Sequence, residues 1–179
     1  MPDAAPVASV VPTAEATAKL SPLGSDAVRI EDGFWAERQR LNREVTIPAG
    51  RAELERAGAL DNFRIAAGRA PGAFRGMRFH DSDVYKWLEA VGWELGRASS
   101  PELERLALEA TELVAAAQLD DGYVNTYCQL TDPSWRYTDL ALGHELYCAG
   151  HLLQAAVAHA RSGGDGELLA VARRFADEI

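Results

Sequence analysis

Three residues that can bind a metal ion or exchange a proton recur along one face of a predicted helix: His144, Cys148 and His151. Their spacing of i, i+4 and i+7 aligns them, and imidazole and thiolate are both zinc ligands. At a rise of 1.5 Å per residue, His151 lies about 10 Å along the helix from His144, too far for all three to share one ion. Two alternatives remain for these polar groups: a functional site or a hydrogen-bonded interior.

His144 differs from the other two because it stands at the predicted helix start, beside Glu145. A side chain at that position can project into a cleft instead of a core. A neutral imidazole can donate a hydrogen bond to a sugar hydroxyl or accept one from it. The residue type alone leaves the binding role and the structural role of His144 equally open.

A second candidate is the segment DGYVNTY at 121–127, which joins two predicted helices. It combines a carboxylate, an amide, a hydroxyl and aromatic rings, and carbohydrate sites need that mixture of planar hydrogen-bonding groups and ring faces. Tyr123 and Asn125 are its candidate binding residues. A turn followed by an ordinary strand explains the same segment equally well.

The carboxylates offer a weaker signal. Asp81 and Asp83 precede an apolar helical pattern, which favours a capping role for both. A glycosidase requires two carboxyl groups at a defined separation, and such a pair could be drawn from Asp81, Asp121 and Glu145. The spacing along the chain does not select any pair among them.

Helices must position these groups, because apolar residues recur at helical spacing in most of the chain. A loop rich in glycine and proline is predicted at 62–79, and Pro48 and Gly50 are predicted to interrupt the helical pattern before it. Gly58 and Ser100-Pro101 mark a helix end and a helix start. The pattern predicts an all-α protein of consecutive helical hairpins, with helices at 51–57, 84–95, 101–118 and 144–160 and from 168 onward.

Composition narrows the functional classes. The chain has 179 residues, 27 acidic against 18 basic, and a formal charge of −9. No basic run exists to attract nucleic acid or an anionic membrane, so neither is an expected partner. We expect a flexible leader at 1–24 that is no secretory signal, one domain at 25–179, no membrane span, and a soluble cytoplasmic protein. Cys128 and Cys148 are too few for a disulfide framework and are expected to be buried thiols.

Five short segments, taken in order, have the spacing of one known family. Each segment alone is weak, but the order is specific, and together they cover roughly residues 28–179. They are LDNFR with AAG at 60–68, DSDVYKWLEA at 81–90, Gln118 followed by DGYVNTY at 121–127, HELYCAGH at 144–151, and RFAD at 174–177. The chain resembles the N-terminal part of the catalytic domain of the β-L-arabinofuranosidases, glycoside hydrolase family 127.

The resemblance implies the N-terminal portion of an (α/α)6 barrel and a carbohydrate partner. Family members release terminal β-L-arabinofuranosyl units with retention, using a zinc-bound cysteine nucleophile and a glutamate acid/base. Zinc keeps such a thiolate deprotonated at neutral pH. Neither Cys128 nor Cys148 matches the family's zinc-bound cysteines, so we expect no catalytic residue and no metal ligand in this chain. Zinc is expected only in the full-length enzyme, and this chain alone is expected to be an inactive fragment that lacks the downstream part of the barrel.

His144 resembles a sugar-binding histidine of the family, and Tyr123, Asn125 and Asp81 complete the predicted substrate-binding residues. One departure concerns Gly50, where the family commonly has a glutamine that contacts sugar. Glycine offers no side-chain hydrogen bond, so the natural sugar is less well determined than the family. The alternative function is a non-catalytic sugar-binding module or a helical interaction module.

Overall fold

The computed structural model describes residues 10–20, 22–24 and 27–179, which form helices and loops without a β-strand. The predicted all-α class is therefore confirmed for these residues. Residues 1–9 and 21 of the expected leader, and residues 25 and 26 of the expected domain, lie outside them, so both boundaries stay predictions. In the described part of the chain no helix is long and apolar enough to cross a membrane. The cytoplasmic location stays a prediction.

The helices follow the apolar pattern with a few differences. Ser100 begins one of them as predicted, because its side chain accepts a hydrogen bond from the Leu103 amide, and Gly58, at φ +81°, ends another. The α-helices of the described residues are α1 Gly33–Leu41, α2 Ile47–Ala57, α3 Ala59–Ala66, α4 Asp81–Arg97, α5 Pro101–Ala117, α6 Thr126–Thr131, α7 Glu145–Arg161 and α8 Glu167–Glu178.

Two predicted interruptions are wrong. The backbone stays helical from α1 through a π-helical turn at Asn42–Thr46 into α2, so Pro48 and Gly50 do not break it. Pro48 directly follows the π-helical turn, in the first turn of α2. A β-carbon at Gly50 would lie 3.1 Å from Trp87 Cδ1, so this glycine lets α2 approach α4 closely.

The π-helical turn carries one of the connections to α4. Arg43 lies in this turn and forms an ion pair with the buried carboxylate of Glu94 at 2.9 Å. Its guanidinium also donates to the carbonyl oxygens of Ala98, at 2.8 Å, and of Ser99. A cation at this end of α4 satisfies carbonyl groups that the helix leaves without partners.

The loop predicted at 62–79 begins later than expected, because α3 continues to Ala66. Asn62 was assigned to this loop but is buried within α3. Its amide donates to the Arg75 carbonyl at 2.8 Å, and its carbonyl accepts from the Arg75 N–H at 3.0 Å. Long-range hydrogen bonds of this kind leave no trace in the local sequence pattern.

The core lies between α4 and α7, which pack along each other more extensively than α4 packs on α5, the next helix in the chain. The contacts of α4 with α5 and of α7 with α8 agree with the predicted hairpins, and the pairing of α4 with α7 joins these two hairpins. Gly92 permits it, because a β-carbon there would lie 3.0 Å from His159 Cδ2. α8 then packs on α7 and α5. The starts of α4 and α7 and the segment 118–145 therefore surround one region, which holds the predicted site residues.

Candidate functional site

A cavity of about 210 Å³ lies beside the start of α7. The segment that leads into α7 forms one wall, the loop before α4 contributes an arginine, and α6 contributes an aromatic ring and a thiol. The lining residues are Arg78, Tyr127, Cys128, Trp135, Thr138, Asp139, Gly143 and Glu145. An aromatic and polar lining of this kind is typical of small-molecule sites.

Glu145 links this cavity to the interior. Its side chain is 2% exposed, and its carboxylate accepts hydrogen bonds from the Tyr123 hydroxyl and, at 2.9 Å, from the Tyr137 N–H. Tyr137 has a φ of +55°, in the left-handed region that non-glycine residues rarely adopt. The buried carboxylate thus holds the backbone of the segment that forms the cavity wall.

Tyr123 is almost completely buried, and its ring makes edge contacts with Tyr137 and Phe175, both at 5.6 Å between centroids. Burial raises its pKa well above the ordinary value for tyrosine. The phenol therefore stays protonated and donates a hydrogen bond to Glu145. Burial also raises the pKa of Cys128, so this cavity-lining thiol remains protonated at neutral pH.

Arg136 covers the buried pair of Tyr123 and Glu145 on its solvent side. The sequence analysis did not identify this arginine. Its guanidinium lies 4.1 Å from the centroid of the Tyr123 ring. It forms ion pairs with Asp121, at 2.6 Å, and with Glu178, which also accepts from the Tyr137 hydroxyl. The partners of Arg136 are 15 and 42 residues away in sequence, so no local motif marks this residue.

Asp81 was predicted to cap α4, and that prediction is wrong. His80 occupies the N-cap position, and Asp81 is the first residue of the helix. The Asp81 side chain is 2% exposed and accepts hydrogen bonds from the hydroxyl and, at 2.7 Å, from the N–H of Thr126. Asp81 therefore fixes the start of α6 against the start of α4.

Asn125 caps α6, because its carbonyl oxygen accepts a hydrogen bond from the Cys128 N–H at 3.0 Å. Its side chain is completely buried, and its Nδ2 has no hydrogen-bond partner among the described residues. The strand that was the alternative for the 121–127 segment is absent from it, since extended backbone at Asn125 leads directly into helix.

Burial of Asp81 predicts a pH effect on stability. Desolvation raises the pKa of this carboxyl to about 6, although the hydrogen bonds from Thr126 oppose the change. The folded state then binds the proton of Asp81 more tightly than the unfolded state does. The resulting contribution to the free energy of unfolding is complete below about pH 4 and is lost as pH rises through about 6. The whole change amounts to about 3 kcal/mol.

The test is the Asp81→Asn variant, measured by urea denaturation at pH 4 and pH 7. Because asparagine does not titrate, we expect wild type to lose up to about 3 kcal/mol of stability relative to the variant over this interval. The control is Asp83→Asn, two residues along the same helix, where the carboxylate is 46% exposed; it should change much less. A constant difference between wild type and Asp81→Asn would contradict the prediction.

His144 occupies a different position from the other three predicted residues. It is the N-cap of α7 with φ +59°, is half-buried, and packs against Phe79 and Tyr147 at 5.2 and 5.8 Å between ring centroids. Its Nδ1 lies 2.6 Å from the Leu142 carbonyl oxygen. A carbonyl oxygen can only accept a hydrogen bond, so Nδ1 carries the hydrogen and Nε2 of the neutral ring is an acceptor.

The structure thus separates the four predicted binding residues into two groups. Asp81, Tyr123 and Asn125 lie behind the cavity and hydrogen-bond to the protein, whereas His144 lies at its edge, between the lining residues Gly143 and Glu145. None of the four side chains is itself part of the lining. The three buried residues position the loops, and His144 is the one with an imidazole nitrogen available to a ligand.

The other two members of the opening motif lie elsewhere. Cys148 is completely buried in the core, as one of the two alternatives predicted, and burial raises the pKa of its thiol. His151 stacks edge-on against Tyr147 at 4.6 Å between ring centroids. Its Nδ1 is buried and has no hydrogen-bond partner among the described residues. Across the described part of the chain, no three His, Cys, Asp or Glu side chains form a metal-binding group.

Comparison with known proteins gives one consistent result. The model of the GH127 β-L-arabinofuranosidase catalytic domain matches residues 27–179. A non-reducing end β-L-arabinofuranosidase from Bifidobacterium longum subsp. longum is 38% identical over 135 residues, which is 73% of this chain and 20% of that protein.

Two solved structures agree with this match. A GH127 β-L-arabinofuranosidase from Geobacillus stearothermophilus T6 superposes with a TM-score of 0.81 at 43% identity, over 84% of this chain and 25% of that one. A second GH127 β-arabinofuranosidase gives 0.78 and 32%, over 86% and 26%. The chain thus spans about a fifth to a quarter of the length of these relatives.

Proposed function

Because the chain belongs to the GH127 β-L-arabinofuranosidase family, we propose that it forms part of a glycoside hydrolase that releases β-L-arabinofuranosyl units from the non-reducing ends of glycans. The described helices correspond to the N-terminal part of the (α/α)6 barrel of these enzymes, so the predicted fold class is confirmed. The hydrolytic activity and the glycan substrate are proposed for a longer protein that contains this chain.

The observation that carries the proposal is the geometry of His144. The Leu142 carbonyl fixes the imidazole tautomer, and the rings of Phe79 and Tyr147 fix its orientation. Nε2 is then an oriented acceptor for a sugar hydroxyl, and fixed polar groups of this kind give a sugar site its specificity. The buried Glu145 carboxylate supports the same loop from behind. In this proposal the segment binds and orients the sugar.

The side chains of the described residues do not form a zinc site. The two thiols of this chain are buried, and burial raises the pKa of both, whereas a zinc ligand must be a thiolate. The described side chains therefore do not fit the metal, and we assign no step of the reaction through it. We propose that the nucleophile, the acid/base and the zinc ligands belong to other segments of the full-length enzyme, and that this chain alone is inactive.

The test uses the full-length gene product and an aryl β-L-arabinofuranoside. We expect release of L-arabinose, and a fall in kcat/KM of about tenfold or more in the His144→Asn variant, because one oriented hydrogen bond is lost. Asparagine tolerates the left-handed backbone of this position, so the melting temperature should change little. No arabinose release by wild type would reject the activity. Unchanged kcat/KM in the variant would reject the role of His144.

A second candidate function is sugar binding without chemistry. The observation that favours it is the cavity lined by Tyr127 and Trp135 in a segment whose thiols are buried. It predicts that the full-length product binds an arabinofuranosyl oligosaccharide in calorimetry and releases no arabinose from it. A helical interaction module without a sugar site predicts that His144→Asn leaves any sugar binding unchanged.

A further inference from the structure

Two aromatic rings form an exposed platform at one side of the cavity. Trp135 is 46% exposed, and its ring lies 5.9 Å from the ring of Tyr127, with their planes tilted by 35°. Phe74 supports Tyr127 through an edge contact at 5.2 Å. Large aromatic faces left open to solvent beside a polar cavity are characteristic of sites that bind the apolar face of a ring.

The platform is held in place by its own backbone. Trp135 ends a short 3-10 turn at Pro133–Trp135, which Asp132 caps by accepting from the Ser134 N–H at 2.9 Å. The Thr138 N–H and hydroxyl both bond to the Trp135 carbonyl, at 3.0 and 2.8 Å. Binding to a surface ordered in advance loses little conformational entropy.

Polar groups surround the platform. The Arg78 guanidinium lies 5.6 Å from the centroid of the Tyr127 ring and makes no hydrogen bond or ion pair with the described residues. Thr138 and Asp139 lie on the lining with it. Guanidinium, hydroxyl and carboxylate groups beside ring faces match the hydroxyls of a neutral sugar, and they do not match an apolar protein surface.

The cavity has room for about one sugar ring and lies next to His144. Its volume of about 210 Å³ is below the roughly 300–1,000 Å³ of sites for drug-sized ligands, so it accommodates about one ring. It adjoins His144, since Gly143 and Glu145 line it on either side of that residue and Phe79, which packs on the imidazole, follows Arg78.

We propose that Trp135, Tyr127 and Arg78 form a subsite for the sugar residue to which the terminal arabinofuranosyl unit is attached. This inference rests on the proposed hydrolase function, in which His144 contacts the terminal unit. Trp135 is then a specificity-determining residue: it favours glycosides whose leaving group is itself a sugar, and it contributes less to glycosides with a small leaving group.

The experiment compares two substrates in the full-length protein: methyl β-L-arabinofuranoside and a disaccharide with a terminal β-L-arabinofuranosyl unit. In Trp135→Ala we expect kcat/KM for the disaccharide to fall about tenfold more than kcat/KM for the methyl glycoside, because a stacking contact is lost with only one of them. Arg78→Ala, at an exposed position, should shift the same ratio in the same direction. The matched control is Trp35→Ala, which removes a tryptophan that is 65% exposed on α1 and should leave the ratio unchanged.

Each outcome decides the question. A larger loss for the disaccharide in Trp135→Ala, absent in Trp35→Ala, supports the subsite. Equal losses for both substrates, or no loss, overturn the subsite while the hydrolase function stands. A wild-type protein that cleaves neither substrate overturns both the hydrolase function and the subsite.

Discussion

Replacing Glu145 with alanine is expected to lower the free energy of unfolding by about 4 kcal/mol, the largest effect of any substitution at this site. The change removes a buried carboxylate and leaves the Tyr123 hydroxyl and the Tyr137 N–H without an acceptor. Each buried donor that loses its partner costs about 1–3 kcal/mol, and a charged partner raises the figure. Urea denaturation followed by circular dichroism measures the loss.

Two further variants define what the loss means. Glu145→Gln keeps the size of the side chain but replaces one acceptor oxygen with a donor, so about half the effect should remain. Glu112→Ala removes an exposed glutamate of α5 that makes no side-chain hydrogen bond or ion pair in the described part of the chain, and it should stay within about 0.5 kcal/mol of wild type. If Glu145→Ala were as mild as Glu112→Ala, the carboxylate would not hold the loop.

The second large effect is expected at Gly122, where alanine should destabilise the protein by about 3 kcal/mol. Gly122 has φ +100°, and a β-carbon there would lie 2.4 Å from the backbone oxygen of Arg174 in α8. The Gln118 amide joins the same two segments, donating to the Gly122 carbonyl at 2.6 Å and to the Val171 carbonyl at 2.9 Å. The methyl group would separate them, adding overpacking to backbone strain.

The control is Gly68→Ala, because Gly68 also has a positive φ, +67°, but a β-carbon there would meet nothing within 4 Å. It should show the backbone strain alone, about 1 kcal/mol. The difference between the two variants in thermal or urea denaturation isolates the steric contact with α8. Equal losses at both positions would show that alanine at position 122 is disfavoured by the backbone conformation and not by close packing against α8.

The sequence analysis predicted the helix boundaries that are set by neighbouring residues. The Ser100-Pro101 start of α5 and the Gly58 end of α2 are features of a few neighbouring residues, and both are confirmed. Helix α3 was missed, because Asn62 reads as a loop residue until its hydrogen bonds to Arg75 are seen. Asp81 was misassigned as a cap for the same reason, since its partner Thr126 lies 45 residues away.

The candidate site shows the same division. Its motif at 144–151 and the family resemblance directed attention to the start of α7, and His144 lies at the edge of the cavity there. The sequence did not show that Glu145 is the buried acceptor for Tyr123 and Tyr137, or that Arg136 covers them. Those roles depend on contacts between segments, which periodicity and spacing cannot report.

The π-helical turn at Asn42–Thr46 has a consequence for comparing this chain with its relatives. One such turn is equivalent to a single residue inserted into an α-helix. Relatives in which this stretch is regular should therefore align only after a one-residue gap within 42–46. Without that gap, each position of α1 would be assigned about 100° away around the helix axis. Trp35 and Gln39 would then be equated with residues on a different face, and substitution patterns at those positions would be misread.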